Sequence, residues 1–152
     1  MNVQFFEEKP LGFVPAVKVS GCCCESEGRT LFLRRAKNTD YGGTWCYPAG
    51  KLNEGESPLV GARREVFEET HISLPKKLVH LGTLFCLVAD FAYTFDVFWK
   101  KFEVKPSIIL NKKEHTEFRW VTMEEALELD LIPGGKEVLD FCKKKSSTSV
   151  EL

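Results

Sequence analysis

The chain has 152 residues, 43% of them hydrophobic and 28% charged, with a net charge of −1. That is enough to bury a sizeable core as one domain, and the near-neutral balance provides neither a basic field for unspecific binding of a nucleic-acid polymer nor an acidic tail. No run approaches the length of a membrane span, and Met1-Asn2-Val3-Gln4-Phe5-Phe6 lacks the layout of a signal peptide, so the expectation is a soluble, cytoplasmic protein without a membrane partner.

After a short polar lead, residues 12–24 are apolar and β-branched and predict a strand, with Pro15 making its early part an edge or a break. Glu25-Ser26-Glu27-Gly28 reads as a turn, and residues 29–36 return as a second strand, closing a hairpin. Residues 38–43 are loop, with Asp40, Gly42 and Gly43 as turn formers. Residues 44–47 form a short strand that runs into Pro48-Ala49-Gly50.

A helix follows, with Ser57 as N-cap and Pro58 at the first helical position. At 100° per residue Glu65, Glu68 and Glu69 share one face, which Pro58 and Gly61 leave open. Leu59, Ala62 and Val66, widened by Val60 and Phe67, form an apolar stripe that can pack on a core. Beyond Pro75, residues 78–102 are nearly continuous apolar and aromatic, with Ala89-Asp90 as the reversal between two strands. Residues 105–115 are a polar loop around the apolar run 108–110, and residues 118–121 a last strand. Thr122 opens a helix with capping-box spacing to Glu125. Pro133-Gly134-Gly135 breaks the chain before a terminal helix ending near Lys144. Residues 1–144 form one expected domain, followed by a frayed tail over 145–152. Strands interleaved with helices predict an α/β layered sandwich.

Of the six cysteines, Cys22, Cys23 and Cys24 are consecutive and Cys46, Cys86 and Cys142 isolated, with no C-x-x-C pair. Buried, reduced thiols are the expectation, with alternation sending neighbours of the triplet to opposite sheet faces.

Three carboxylates on one helix face repel one another. A divalent cation turns that cost into a site, and oxygen-only ligands suit Mg²⁺ or Mn²⁺, which accept substrate phosphates as further ligands. A solvated acidic face is the plainer alternative.

The spacing of the whole stretch favours the cation. It resembles the Nudix box, G-x5-E-x7-R-E-U-x-E-E-x-G-U with U aliphatic: Gly50, Glu56, Arg64, Glu65, Val66, Glu68, Glu69 and Ile72 fall in register. His71 stands where the pattern has Gly, a left-handed C-cap position that histidine tolerates better than most residues. The resemblance is closest to MutT-type nucleoside triphosphate pyrophosphohydrolases. Leu31-Phe32-Leu33-Arg34-Arg35-Ala36 looks like the strand whose second arginine reaches the nucleotide, Trp45-Cys46-Tyr47-Pro48-Ala49-Gly50-Lys51 like the entry W-x-F-P-G-G-K, and Glu114-His115-Thr116-Glu117-Phe118-Arg119-Trp120 like a later segment whose glutamate approaches the metal.

The resemblance implies an α/β/α sandwich with a mixed sheet between helices and the box as a loop-helix-loop. It implies two or three Mg²⁺ (or Mn²⁺) ions with substrate bound, held by Glu65, Glu68, Glu69, Glu114 and the backbone carbonyl of Ala49. Glu65, Glu68 and Glu114 are the candidates for general base. Arg35 and Lys51 are candidates to steady phosphates, with a plain surface cation as the other reading. Tyr47 is a candidate for the base, as are Phe13, Phe91 and Trp120, with core packing the alternative for each. Glu56 and Arg64 are expected to pair and orient the helix.

The implied partner is a small nucleotide, by default a nucleoside triphosphate split to monophosphate and pyrophosphate. A nucleotide sugar is the runner-up, a non-catalytic ligand-binding module the reading from another class, and a homodimer is left open. Ile132-Pro133-Gly134-Gly135-Lys136 carries no asparagine where the MutT type reads guanine. The marks of ADP-ribose, dinucleoside-polyphosphate, coenzyme A and NADH hydrolases are also missing.

Overall fold

The computed structural model describes residues 2–148. Its strands are β1 (Val3–Phe6), β2 (Val17–Ser26), β3 (Arg29–Arg35), β4 (Trp45–Cys46), β5 (Ala49–Lys51), β6 (Val79–Val88), β7 (Phe91–Phe102) and β8 (His115–Val121). The helices are α1 (Pro58–Thr70), α2 (Met123–Ala126) and α3 (Gly135–Ser146).

The sheet runs β1-β6-β7-β2-β3-β4, with β5 added to β2 and β8 to β3. β2 and β7 are parallel from Val17↔Tyr93 to Ser26↔Phe102, and the other strand pairs are antiparallel. The sheet is therefore mixed. Alternation along the central strands decides the layers. Cys22, Cys24, Leu31 and Leu33 point to α1, where they meet Ala62 and Val66. Cys23 and Phe32 point the other way, into a core closed by Val138, Leu139, Phe141 and Cys142 of α3. This is the expected α/β/α sandwich. All six cysteines are free, and only Cys46 is less than fully buried.

The β2–β3 hairpin has an unusual job. Glu27 (φ 54°) and Gly28 (φ 73°) turn the chain with two left-handed residues, the geometry of a tight I′ turn. Yet β2 and β3 pair only beside that turn, at Glu25↔Thr30 and Ser26↔Arg29. Beyond it the strands splay. β3 takes β8 as its partner over most of its length, and β5 takes the vacated edge of β2 at Val19↔Lys51, Ser20↔Gly50 and Gly21↔Ala49. The splay opens the sheet beside the start of the box.

Several expectations need correcting. β1 lies in what reads as a polar lead; its four residues are a strand because β6 offers them an edge, from Val3↔Val88 to Phe6↔Phe85. Residues 12–16 are not strand, so Pro15 acts as a break and β2 begins at Val17. β5 is a strand although Pro48-Ala49-Gly50 reads as loop. β8 begins at His115, three residues before the expected 118. Helix α3 continues through Ser146, so the first residues of the expected tail are helical, while residues 149–152 lie outside the described part. Val60 and Phe67 do not widen the buried stripe of α1; they are 51% and 49% exposed. Gly61 does not leave its face open either, because Leu52 and Glu56 fill it. Among the described residues no helix is long and apolar enough to cross a membrane.

Gly21 is where β2 passes closest to β5. A Cβ there would run into Ala49 and the Pro48 carbonyl. Gly21→Ala is expected to overpack this contact and cost about 1–3 kcal/mol, read as a lower urea midpoint; an unchanged midpoint would mean the two strands have room to part.

Candidate active site

The box helix is fixed at both ends. The Ser57 side chain accepts a hydrogen bond from the Val60 amide at 3.3 Å, and Pro58 occupies the first turn, where a missing N–H costs nothing. At the other end His71 takes the left-handed conformation (φ 63°, ψ 14°), and its amide donates to the Phe67 carbonyl at 2.8 Å. Histidine thus performs the capping turn expected of glycine. Its Nδ1 lies 3.0 Å from the Ile109 carbonyl oxygen, and its ring lies 5.2 Å from that of Phe67.

The last carbonyls of the helix are taken by the loop between β7 and β8. The Ile109 amide donates to Thr70 O at 2.9 Å and the Asn111 amide to Glu69 O at 3.2 Å. Carbonyls left without a helical partner are thereby satisfied. The same contacts fasten the loop to the helix end, and Ile108 and Leu110 pack against the α1 side of the core. This anchoring carries Glu114 and His115 to Glu69: ligand-capable atoms of the three side chains all lie within 4.8 Å of one another.

Arg64 arranges the carboxylates. Its Nε donates to Glu56 Oε2 at 2.8 Å and its Nη2 to Glu56 Oε1 at 2.9 Å, a two-pronged pair. Nη1 reaches Glu65 Oε1 at 2.8 Å and Glu68 Oε2 at 3.1 Å, and Nη2 also donates to the Lys51 carbonyl at 3.0 Å. The Arg64 hydrogen bonds, helped by the Asn53 amide, pull the Glu56 carboxyl down to about 2. The same contacts, with Glu56 foremost, raise the affinity of Arg64 for its proton.

Glu65 and Glu69 are in a different electrostatic position. Burial is the main cause that raises both carboxyls, and for Glu69 the nearby Glu65 and Glu114 add to it. Glu69 is 4% exposed and accepts one hydrogen bond from the Ala49 amide at 3.1 Å. Gly50 lets the chain pass against Glu65, since a Cβ at that position would overlap its carboxylate.

A cavity of about 900 Å³ opens where β2 and β3 splay. Glu65, Glu69, Glu114 and His115 cluster in it as an acidic end, and its lining also includes Arg35, Lys51, Val88, Phe91, Tyr93, Phe95 and the turn 132–135. Arg35, Tyr47, Ala49, Lys51, Glu65, Glu69 and Glu114 are thus brought to one cavity. Glu68 is not among its lining: its side chain is 52% exposed and held by Arg64. Glu56 and Arg64 stand behind the site as a pair. Tyr47 lines the cavity but is buried, its ring 4.5 Å from that of Phe32. Of the other aromatic candidates Phe91 lines the cavity, whereas Phe13 packs on Phe85 and Trp120 on the α1 side of the core.

His115 has no place in the sequence reading, although it follows Glu114 directly. It is 3% exposed, and its Nε2 lies 3.9 Å from Cys46 Sγ. Burial, reinforced by Arg35, lowers its pKa to about 4, so the ring is neutral at ordinary pH. The available signal is a histidine beside a candidate ligand at the start of a strand, and it shows only once that strand is known to begin at His115.

Glu56→Gln is expected to remove about 2 kcal/mol at neutral pH, after allowance for solvent, or roughly 4–8 °C in melting temperature for a chain of this size. The folded pKa of about 2 lies below the ordinary 4.5, so this stabilisation is complete above the ordinary value and vanishes as pH falls through the folded one. The gap between wild type and variant, followed by calorimetry, should therefore close between about pH 5 and pH 2. A gap that persists at pH 2, or none at pH 7, contradicts the pairing.

Comparison with known proteins agrees with this geometry. The family model of the NUDIX domain matches residues 14–142. A MutT-like protein from Streptomyces ambofaciens is 34% identical over 118 residues, spanning 74% of this chain and 68% of that one. An RNA pyrophosphohydrolase from Bartonella clarridgeiae is 28% identical over 117 residues, spanning 64% of this chain and 68% of the other. Among solved structures, the MutT protein from Methanosarcina mazei Go1 superposes with a TM-score of 0.73 at 28% identity, over 91% of this chain and 97% of that one. The box, its helix and the sandwich that carries them place the chain in the Nudix hydrolase family, whose members use divalent metal ions and act on nucleotides.

Proposed function

We propose that the chain hydrolyses a nucleoside triphosphate to a nucleoside monophosphate and pyrophosphate. The observation that carries this reading is the mixed lining of one cavity, which holds clustered carboxylates together with apolar and aromatic side chains. A volume of about 900 Å³ falls in the range of small-molecule sites. The apolar lining suits a nucleoside, and the acidic end suits phosphates only with a cation between.

The acidic end fits such a cation. Glu65, Glu69 and Glu114 are close enough to disfavour one another's charge, and Glu69 has one amide donor to offset its burial. Oxygen donors of this kind fit Mg²⁺ or Mn²⁺, with Glu65, Glu69 and Glu114 as holders and Glu68 able to join by leaving Arg64. When bound, such an ion neutralises phosphate oxygens and acidifies a water molecule.

The chain's own residues do the rest. Arg35 and Lys51 line the same cavity and offer positive charge to phosphates. Arg35 is held by a 2.6 Å hydrogen bond from its Nε to the Asp40 carbonyl, so its direction is set before substrate arrives. A carboxylate accepts the proton of the attacking water. Glu65, Glu68 and Glu114 are the candidates, and Glu65 has the advantage of a pKa already moved toward neutrality by burial. Glu56 and Arg64 keep α1 and the box loop in register. The turn 132–135 borders the cavity without a side-chain amide, which weighs against selective reading of guanine.

Two measurements test the reading. With Mg²⁺ and a panel of nucleoside triphosphates in H₂¹⁸O, attack at the β-phosphorus puts the label in pyrophosphate. Label in the monophosphate, or inorganic phosphate as first product, overturns it; a sugar phosphate product would select nucleotide sugars instead. Glu69→Gln is expected to lower turnover by about a hundredfold or more while the melting temperature stays within a few degrees. Wild-type turnover in that variant removes Glu69 from the site.

A further inference from the structure

Among the described residues, buried polar or ionisable side chains outside the box include Asp96, the core cysteines Cys23 and Cys142, and His115. Asp96 is satisfied by Thr83 Oγ1 at 2.7 Å and His80 Nε2 at 3.0 Å, and supports β6 against β7. Cys23 and Cys142 are enclosed in the core and do not line the cavity. His115 is different, because it borders the cavity.

Its ring is 97% shielded by the protein, at 3% exposure, and its Nδ1 is buried with no hydrogen-bond partner. A buried imidazole nitrogen without a partner calls for an explanation. One ring nitrogen lies within 4.8 Å of carboxylate oxygens of both Glu69 and Glu114. The His115 Nε2 lies 3.9 Å from Cys46 Sγ. A ring that keeps its Nε2 proton toward that sulfur carries its lone pair on Nδ1, the atom without a partner. Metal-bound histidines are oriented this way, by a second-nitrogen contact that fixes the tautomer.

We propose that His115 is a metal ligand, completing with Glu69 and Glu114 a position of two oxygens and one nitrogen. The inference rests on the acidic end of the cavity holding a cation, and is independent of which nucleotide is cleaved. Its consequence is selectivity. Mg²⁺ prefers an all-oxygen shell. Imidazole nitrogen suits the transition metals, so this position favours Mn²⁺ and later divalent ions over Mg²⁺. The loop anchored through Ile109 and Asn111 places the ligand, and Cys46 contacts its Nε2.

Mn²⁺ electron paramagnetic resonance tests this without reference to turnover. Loss of the free-ion signal on titration of the whole chain reports binding, and pulsed measurement of the bound ion reports nitrogen. The expected result is a directly bonded ¹⁴N coupling that changes to the ¹⁵N pattern in protein made with ¹⁵N-histidine. This needs no substitution and so survives any folding defect. In His115→Gln the coupling should vanish and the Mn²⁺ dissociation constant rise at least about tenfold, with Mg²⁺ affinity, measured by competition, changed less than about threefold. Bound Mn²⁺ with no nitrogen coupling, or a coupling that survives His115→Gln, overturns the assignment and leaves the carboxylate site standing. No binding of Mn²⁺ at all overturns the cation reading of the cavity itself.

Discussion

The carboxylates at the head of the site, Glu56, Glu65 and Glu68, depend on one guanidinium. Arg64 spends its donors on Glu56, Glu65, Glu68 and the Lys51 carbonyl, so one positive charge organises three negative ones and the loop that precedes them. Glu56 takes the strongest share, as its depressed pKa reports. Glu65 shares a single Arg64 nitrogen with Glu68, and Glu69 lies beyond Arg64's reach among the contacts observed. The result is a gradient of compensation along one helix. Charge is neutralised near Glu56, where the fold needs rigidity, and only partly offset near Glu69, by the Ala49 amide and Arg35, where a ligand can supply the rest. A lysine would not do this, because a single ammonium lacks the fork that grips Glu56 and reaches onward.

The box was legible because its determinants are local. Ser57, Pro58 and the glutamate spacing act within a few turns of one helix, and the pairing of Glu56 with Arg64 spans one loop-helix unit. Glycines were legible as positions but not as reasons. Gly50 clears space for Glu65, and Gly61 admits Leu52 and Glu56, which only the packed structure reveals. Alternation through the cysteine triplet also needed nothing beyond strand geometry, and Cys22 and Cys24 do face away from Cys23.

What was illegible depends on partners distant in sequence. β1 exists because β6 lies beside it, and β5 because β3 has left β2; neither has a pattern of its own. Val60 and Phe67 are apolar at helical spacing, yet the core covers only the narrower stripe of Ala62 and Val66. His115 meets Glu69 through a loop whose folding is set by amides at Ile109 and Asn111, and backbone contacts carry no residue signature. Glu68 shows the converse: spacing puts it on the face with Glu65 and Glu69, but in this structure Arg64 claims its carboxylate.

The fastening of the loop at Ile109 and Asn111 separates two evolutionary freedoms. Everything from Ile109 onward is tied to the helix end and sets the distance from Glu114 and His115 to Glu69. The run 103–107, before the first tie, is largely exposed. Residues can be exchanged or inserted there while the acidic centre keeps its dimensions. The outer part of this loop is a hem stitched down only at its inner edge, where the acidic centre begins.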